Sequence, residues 1–218
     1  MSVRLVGGEE VRMGLFGKLF EKKYCSICGA EAGMLSRSKI EDGYLCGDCA
    51  SKLSPYYGGR RHATTEQIQE HLAYREENKK AVERFNATRT IGSVTSGVGG
   101  GGTMVILDED AGKVIVTSSS DWRNANPEVF DFDQVTGCDY DVDEDRTEIM
   151  KTNKNGEEVS YNPPRYEYSY DFYVTIHLNH PFATKIRFQV NQSTIERRGS
   201  AEYRSAEDAC KQIREALT

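Results

Sequence analysis

The chain has 218 residues, with 28 Lys and Arg against 34 Asp and Glu and four His. That is room for one medium domain and a smaller one, and no apolar run approaches the roughly 20 residues that span a bilayer. Charge is unevenly placed: residues 86–218 carry 14 basic and 22 acidic side chains, a surface that repels phosphate backbones and argues against general nucleic-acid binding there.

Residues 1–12 show neither periodicity nor caps and are expected to be a disordered tail, with Met13 as an alternative start. Residues 13–23 then read as a short amphipathic helix. Leu15, Phe16, Leu19 and Phe20 lie on one side of it, with Lys18, Lys22 and Lys23 around them. Such a stripe fits weak contact with a membrane surface, or packing on the element that follows. At about two turns it is short for an anchor, which favours packing.

Cys25, Cys28, Cys46 and Cys49 follow in the order C-x2-C-x17-C-x2-C, the most specific chemical signal in the chain. Each CxxC sets two thiolates on one tight turn, and two such turns complete a tetrahedron, the ligand set of structural Zn²⁺. Iron–sulfur binding is the alternative. Four thiolates close the shell, so a catalytic zinc with an open position does not fit. No signal peptide precedes them, which argues against a disulfide framework and for a cytoplasmic protein. Residues 34–45 read as a hairpin turning at Glu41-Asp42-Gly43, and the second pair opens a short helix. Together they predict a treble-clef or zinc-ribbon finger over 24–60. Its expected core is Tyr24, Ile27, Leu35, Ile40, Tyr44, Leu45 and Leu53, too small to hold the segment without metal.

Ser54 to Arg61 break the chain. Thr64 or Thr65 then caps a connecting helix over 62–85, with Ile68, Leu72, Val82 and Phe85 as its narrow apolar stripe. His62 and His71 are expected at the surface, as are Arg75 and the other charged residues of this helix.

From residue 86 strand signals take over. The glycine-rich stretch at 97–102 is followed by a strand and by no Gly-Lys-Ser/Thr, so a loop is expected rather than a phosphate cradle. Strands are predicted at 88–92, 103–107, 114–117, 128–136, 138–142 and 146–150. The clearest covers 166–178, where apolar and polar residues alternate, and 185–190 is the last. Asp139, Asp141, Asp143 and Asp145 fall on one strand face, since the run lacks the Gly and Glu of a calcium loop. A solvated edge is expected, with a basic peptide as the functional alternative. Ser205 is expected to cap a final helix. The fold class is α+β: finger, connecting helix, then an antiparallel β-barrel over 86–218 closed by the helix, similar to a pleckstrin-homology-like domain. Cys138 and Cys210 read as core thiols.

The opening MGLFGKLF, the CSIC and CGDC pairs, the segment from LSPYYGGRRH to NATRT and the VTSSSDWRNANPEVFDFDQVTGC stretch resemble the bacterial family called domain of unknown function 4428. The resemblance implies zinc held by Cys25, Cys28, Cys46 and Cys49 and a bacterial or phage origin, with no established activity. The functional expectation is a non-enzymatic adaptor docking a protein or membrane partner. An enzyme is the alternative, and Ser118–Asp121 with His177 or His180 is its material. Nucleic acid is not the expected partner; contact with it would be to phosphate, from Arg37, Lys39, Arg60 and Arg61.

Overall fold

A computed structural model describes residues 22–92 and 102–218. The expected tail at 1–12, the amphipathic helix up to Glu21 with Leu15, Phe16, Leu19 and Phe20, and the glycine-rich loop up to Gly101 lie outside the described residues. The chain divides into two compact units, one running up to Lys52 and including Arg60–Gln69, the other Leu53–Gly59 with Glu70–Thr218.

In the first unit, β1 (Lys23–Tyr24) pairs antiparallel with β2 (Glu31–Ala32), and β3 (Ser38–Lys39) with β4 (Tyr44–Leu45). The helix α1 (Gly47–Ser51) follows, then a 3-10 turn at Arg60–His62 and the start of α2 (Thr65–Arg84). Thr64 Oγ1 accepts from the Gln67 N–H and Gln67 Oε1 from the Thr64 N–H, the reciprocal pair of a capping box. The turn between β3 and β4 adds Asp42, whose carboxylate accepts from both the N–H and the hydroxyl of Thr65.

The small core of this unit is Ala32, Ile40, Leu45, Ala63 and Ile68. Tyr24 and Leu35, expected within it, are 60% and 100% exposed. The reasons are local. Tyr24 pairs with the exposed Glu31, which puts it on the outer side of β1, while Lys23 opposite Ala32 takes the inner side. Leu35 sits in a turn closed by Ser36 N–H and Arg37 N–H on Gly33 O, and the strand begins only at Ser38.

In the second unit, β5 (Arg89–Ile91), β6 (Met104–Asp108), β7 (Lys113–Thr117) and β8 (Val129–Asp131) form a four-stranded antiparallel sheet in chain order. Val105, Leu107, Val114 and Val116 face one side of it. Ile106 and Ile115 face the other, where they meet Val82 and Phe85 of α2 and half-buried Trp122, which opens the four-residue helix α3 (Trp122–Ala125). Burial on both faces is why Met104–Leu107 and Val114–Val116 read as unbroken apolar runs rather than alternating ones.

A second sheet has the order β11-β10-β9, from β9 (Val135–Thr152), β10 (Glu158–Leu178) and β11 (Lys185–Gln189). The strands expected at 138–142 and 146–150 are one continuous β9, and β10 begins well before 166. The apolar face of the first sheet, the even-numbered residues Phe172, Val174 and Ile176 of β10, and Cys210, Ile213 and Leu217 of α4 (Ala201–Leu217) share one core. Cys138 belongs to it as well.

The closed barrel expected from the sequence is not formed among the described residues. The strand expected at 128–136 breaks at a 3-10 turn, Phe132–Gln134, where Asp131 and Gln134 make a capping box and end the ladder before β9 starts. The two sheets remain separate. The final helix is capped by Ser200, whose hydroxyl accepts from the Tyr203 N–H, five residues before the expected Ser205. Ala201-Glu-Tyr-Arg continues the helical stretch upstream, and Ser200 is the first residue there with extended backbone and a side-chain acceptor.

Candidate metal centre

The two CxxC turns are built differently. In the first, the Gly29 N–H bonds to Cys25 O and the Cys25 N–H to Ala30 O, with Gly29 at φ 73° reversing the chain. That backbone is open to glycine without a Cβ penalty. In the second, Cys46 is the N-cap of α1, its sulfur accepting the Cys49 N–H at 3.4 Å. A hydrogen bond links the Ser26 N–H to Tyr44 O and brings the first turn against β4, just before Cys46.

The four sulfurs lie within 4.8 Å of one another, and Cys28 and Cys46 are 3.6 Å apart at Sγ. Four ligands at a Zn–S length of ~2.3 Å would stand about 3.8 Å apart, so the cluster has the size a metal ion needs. Cys25, Cys46 and Cys49 are buried and Cys28 is exposed. None of the chain's six cysteines is in a disulfide. Burial alone would raise the Cys25 thiol, but the backbone groups of Cys28, Cys46 and Ile27 bring it down to about 6. Cys49 moves the other way, raised by burial and then by its sulfur neighbours. Four thiolates this close would repel one another, so a cation is what would let all four be charged together. These residues can hold a metal ion, and a four-thiolate shell leaves no position on it for water.

His62 is exposed, as expected. His71 is not. It is fully buried, and its Nε2 accepts the Ser54 N–H at 3.0 Å. Arg75 is buried too, with Nη1 donating to Glu128 Oε1 at 2.6 Å and Nη2 to Asn126 O. Asn78 completes the clamp, donating to Asn126 and Pro127 and accepting from the Val129 N–H. His71, Arg75, Asn78, Val82 and Phe85 therefore form one buried stripe at helical spacing on α2. Of the apolar stripe read from the sequence, Val82 and Phe85 belong to it and Ile68 is buried a turn earlier, while Leu72 is only half-buried; polar side chains fill the rest.

Around this stripe the rings of Tyr57 and Phe182 lie 4.4 Å from His71, and Tyr74 OH is 3.1 Å from His180 Nε2. Burial lowers the His71 pKa to about 4, helped by Arg75 and His180, and lowers that of His180 as well. Both histidines are neutral packing groups near neutral pH.

Among the described residues no hydrogen bond joins Ser118–Asp121 to His177 or His180. Asp121 is bonded to Asn124, Ser119 N–H to Thr117 Oγ1, His177 to Asp139 and His180 to Tyr74. Asp139, Asp141, Asp143 and Asp145 do share the outer face of β9, opposite Thr175, Tyr173, Asp171 and Ser169. His177 and Arg187 pair with the first two. By contrast, Arg37 and Lys39 from one segment and Arg60 and Arg61 from another converge on one concavity of the first unit. The exposed pair Met34 and Leu35 was missed. The signal was present: Gly33 before it and Ser36-Arg37-Ser38 after it mark a turn rather than a strand.

No helix among the described residues is long and apolar enough to cross a membrane. No curated protein matches the chain, and no solved structure matches it. Residues 23–71, which contain all four metal-site cysteines, match the model of a family described as Domain of unknown function (DUF4428).

Proposed function

We propose that the chain is a cytoplasmic bacterial interaction protein, non-enzymatic, in which Cys25, Cys28, Cys46 and Cys49 hold one structural zinc ion. The observation that carries this is the closed set of four sulfurs within 4.8 Å, built on two short turns and a helix cap. Zinc is preferred to an iron–sulfur cluster because the sulfur spacing suits a single ion. The non-enzymatic reading is supported by the separate engagements of Asp121, His177 and His180. The second unit is read as pleckstrin-homology-like, because a four-stranded sheet, a three-stranded sheet and a terminal helix follow in that order around one core.

Metal analysis of the purified full-length chain, with affinity capture from its own host, tests the proposal. One zinc per chain is expected, with a partner retained on the zinc-loaded protein and released by chelator. A chain holding iron and sulfide, or no metal at all, would sink the zinc reading. Partner retention that ignores chelator would remove the finger from the interaction.

A further inference from the structure

We propose that the first unit carries a membrane-docking face. Met34 and Leu35 enter the interfacial layer of an anionic bilayer, while Arg37, Lys39, Arg60 and Arg61 hold headgroup phosphates beside them. The inference rests on the reading of the chain as an interaction protein and names its partner.

Leu35 is 100% exposed and Met34 53%, in a unit whose core is so small that each large apolar side chain counts. They are not on a loose loop. Their turn is closed by Ser36 N–H and Arg37 N–H on Gly33 O at 3.1 and 2.9 Å. Its Ser36 side chain lies against Gly47, where an added Cβ would come within 3.3 Å of Ser36 Cβ. Gly47 directly follows Cys46, so the metal turn backs the apolar tip. A rigid tip loses little conformational freedom when it inserts.

Arg37 ends this turn and begins the basic groove. A concavity of about 530 Å³ is lined by Arg37, Lys39, Glu41, Arg60, Arg61 and His62 among others. The two basic segments meet because the Glu41 N–H donates to Ala63 O at 3.0 Å, tying the Arg60–His62 turn to the end of β3. Four cations face one carboxylate, Glu41. Of the other acids described in this unit, Asp42 is engaged on Thr65 and Glu31 on Lys22, while Asp48 and Glu66 are exposed. None of the four cations pairs with a carboxylate among the described residues.

Cations alone would serve any polyanion. The adjoining Met34 and Leu35 decide for a lipid surface, because a nucleic acid takes an aliphatic pair only as a wedge between kinked base steps, at the cost of unstacking them. A bilayer interface rewards both, apolar area in the acyl boundary and basic side chains at anionic headgroups.

The test is co-sedimentation of the zinc-loaded full-length chain with vesicles of phosphatidylcholine alone, or of phosphatidylcholine with about a third phosphatidylglycerol, a charge density at which basic residues bind measurably. Binding to the anionic vesicles only is expected. The pair Met34→Ser, Leu35→Ser and, separately, the pair Arg60→Ala, Arg61→Ala should each weaken it roughly tenfold or more. Zinc content measured alongside reports whether the finger is intact, and Arg60 and Arg61 lie outside both metal turns. Unchanged binding by either pair at full zinc content overturns the proposal. So does loss of all binding in the chain carrying Leu15→Ser, Phe16→Ser, Leu19→Ser and Phe20→Ser while the Met34/Leu35 variant binds fully. A wild-type chain that ignores vesicles but shifts duplex DNA at low salt assigns the groove to nucleic acid. One that ignores both, with zinc bound, leaves a protein as the partner of the interaction reading.

Discussion

Arg75 and Glu128 form an ion pair at 2.6 Å with side chains 8% and 1% exposed, joining α2 to the start of β8. Arg75 Nε and Glu128 Oε2 are buried without a hydrogen-bond partner of their own. The pair is therefore less than fully satisfied, and its cost when broken exceeds its worth when made.

Removing one partner should be severe. Glu128→Gln leaves a buried guanidinium without its counter-charge and is expected to lower stability by about 3–5 kcal/mol. The double change Arg75→Met, Glu128→Leu should cost markedly less than the sum of Arg75→Met and Glu128→Leu made singly, the wild type completing the cycle. Urea unfolding of the four proteins measures the difference, and simple additivity would contradict the coupling.

Acid should weaken the second unit in a defined window. An unfolded histidine takes its proton near pH 6.5, whereas His71 does so only at about 4, held neutral by burial first and by Arg75 and His180 after it. Its contribution is fully present above about 6.5 and is lost as pH falls toward 4, at most about 3 kcal/mol. His180 shifts in the same direction. Denaturant midpoints at a series of pH values would show the slope, and His71→Phe should flatten it.

Stripping the metal should undo the first unit alone. Structural zinc contributes of order 10–16 kcal/mol to folding in finger peptides, far more than Ala32, Ile40, Leu45, Ala63 and Ile68 can replace. Cys46→Ser, or mild acid that protonates the thiolates, is expected to release zinc and collapse the amide NMR dispersion of residues 22–52. The sheets of 86–218 should remain. A thiol-reactive dye should then modify four cysteines and spare two, since burial raises Cys138 to about 11 and Cys210 to about 12. Loss of both units together would show that they do not fold independently.

On the outer face of β9 and β10, Asp143 stands directly opposite Asp171. Gln189 and Asn191 donate to Asp171, and Asp143 is exposed with no such help among the described residues. Asp143→Thr should therefore stabilise the chain by roughly 0.2–1 kcal/mol, with a smaller gain in molar salt. A thermal melt at two salt concentrations decides it.

Legibility followed how much each feature depends on its neighbours in sequence. The CxxC pairs and the stripe of α4 are local patterns, and each appears where its spacing placed it. The period-two run at 166–178 buries one face only from Tyr170 on; Tyr166 and Tyr168, of the same parity, are exposed because the ribbon has run past the core there. The acidic alternation of Asp139 to Asp145 was likewise readable, because a strand face is fixed by parity. Burial of His71 and Arg75 was not, since a charged residue on an amphipathic helix normally faces water. Glu128 and Ser54, the partners that reverse this, lie 53 and 17 residues away. Leu35 failed in the opposite direction: its hydrophobicity promised a core position that the Gly33–Arg37 turn denies it. Of the two seams a barrel needs, the one between β8 and β9 is broken by a three-residue 3-10 turn, a feature set by Asp131 and Gln134 rather than by any periodicity.

The strand β9 also spans two very different environments. At Cys138 it is in the core, while from Asp141 to Glu148 every residue is exposed, and the same holds for its partner β10 from Asn162 to Tyr168. Amides near Cys138 and in β6 and β7, covered on both faces, should exchange with deuterium only when the whole unit opens. Those of the far ribbon should exchange through fraying that leaves the core untouched. A single hairpin thus holds a gradient from the slowest- to the fastest-exchanging protons of the unit, and its outer end can rearrange against another surface without drawing on the stability of the fold that bears it.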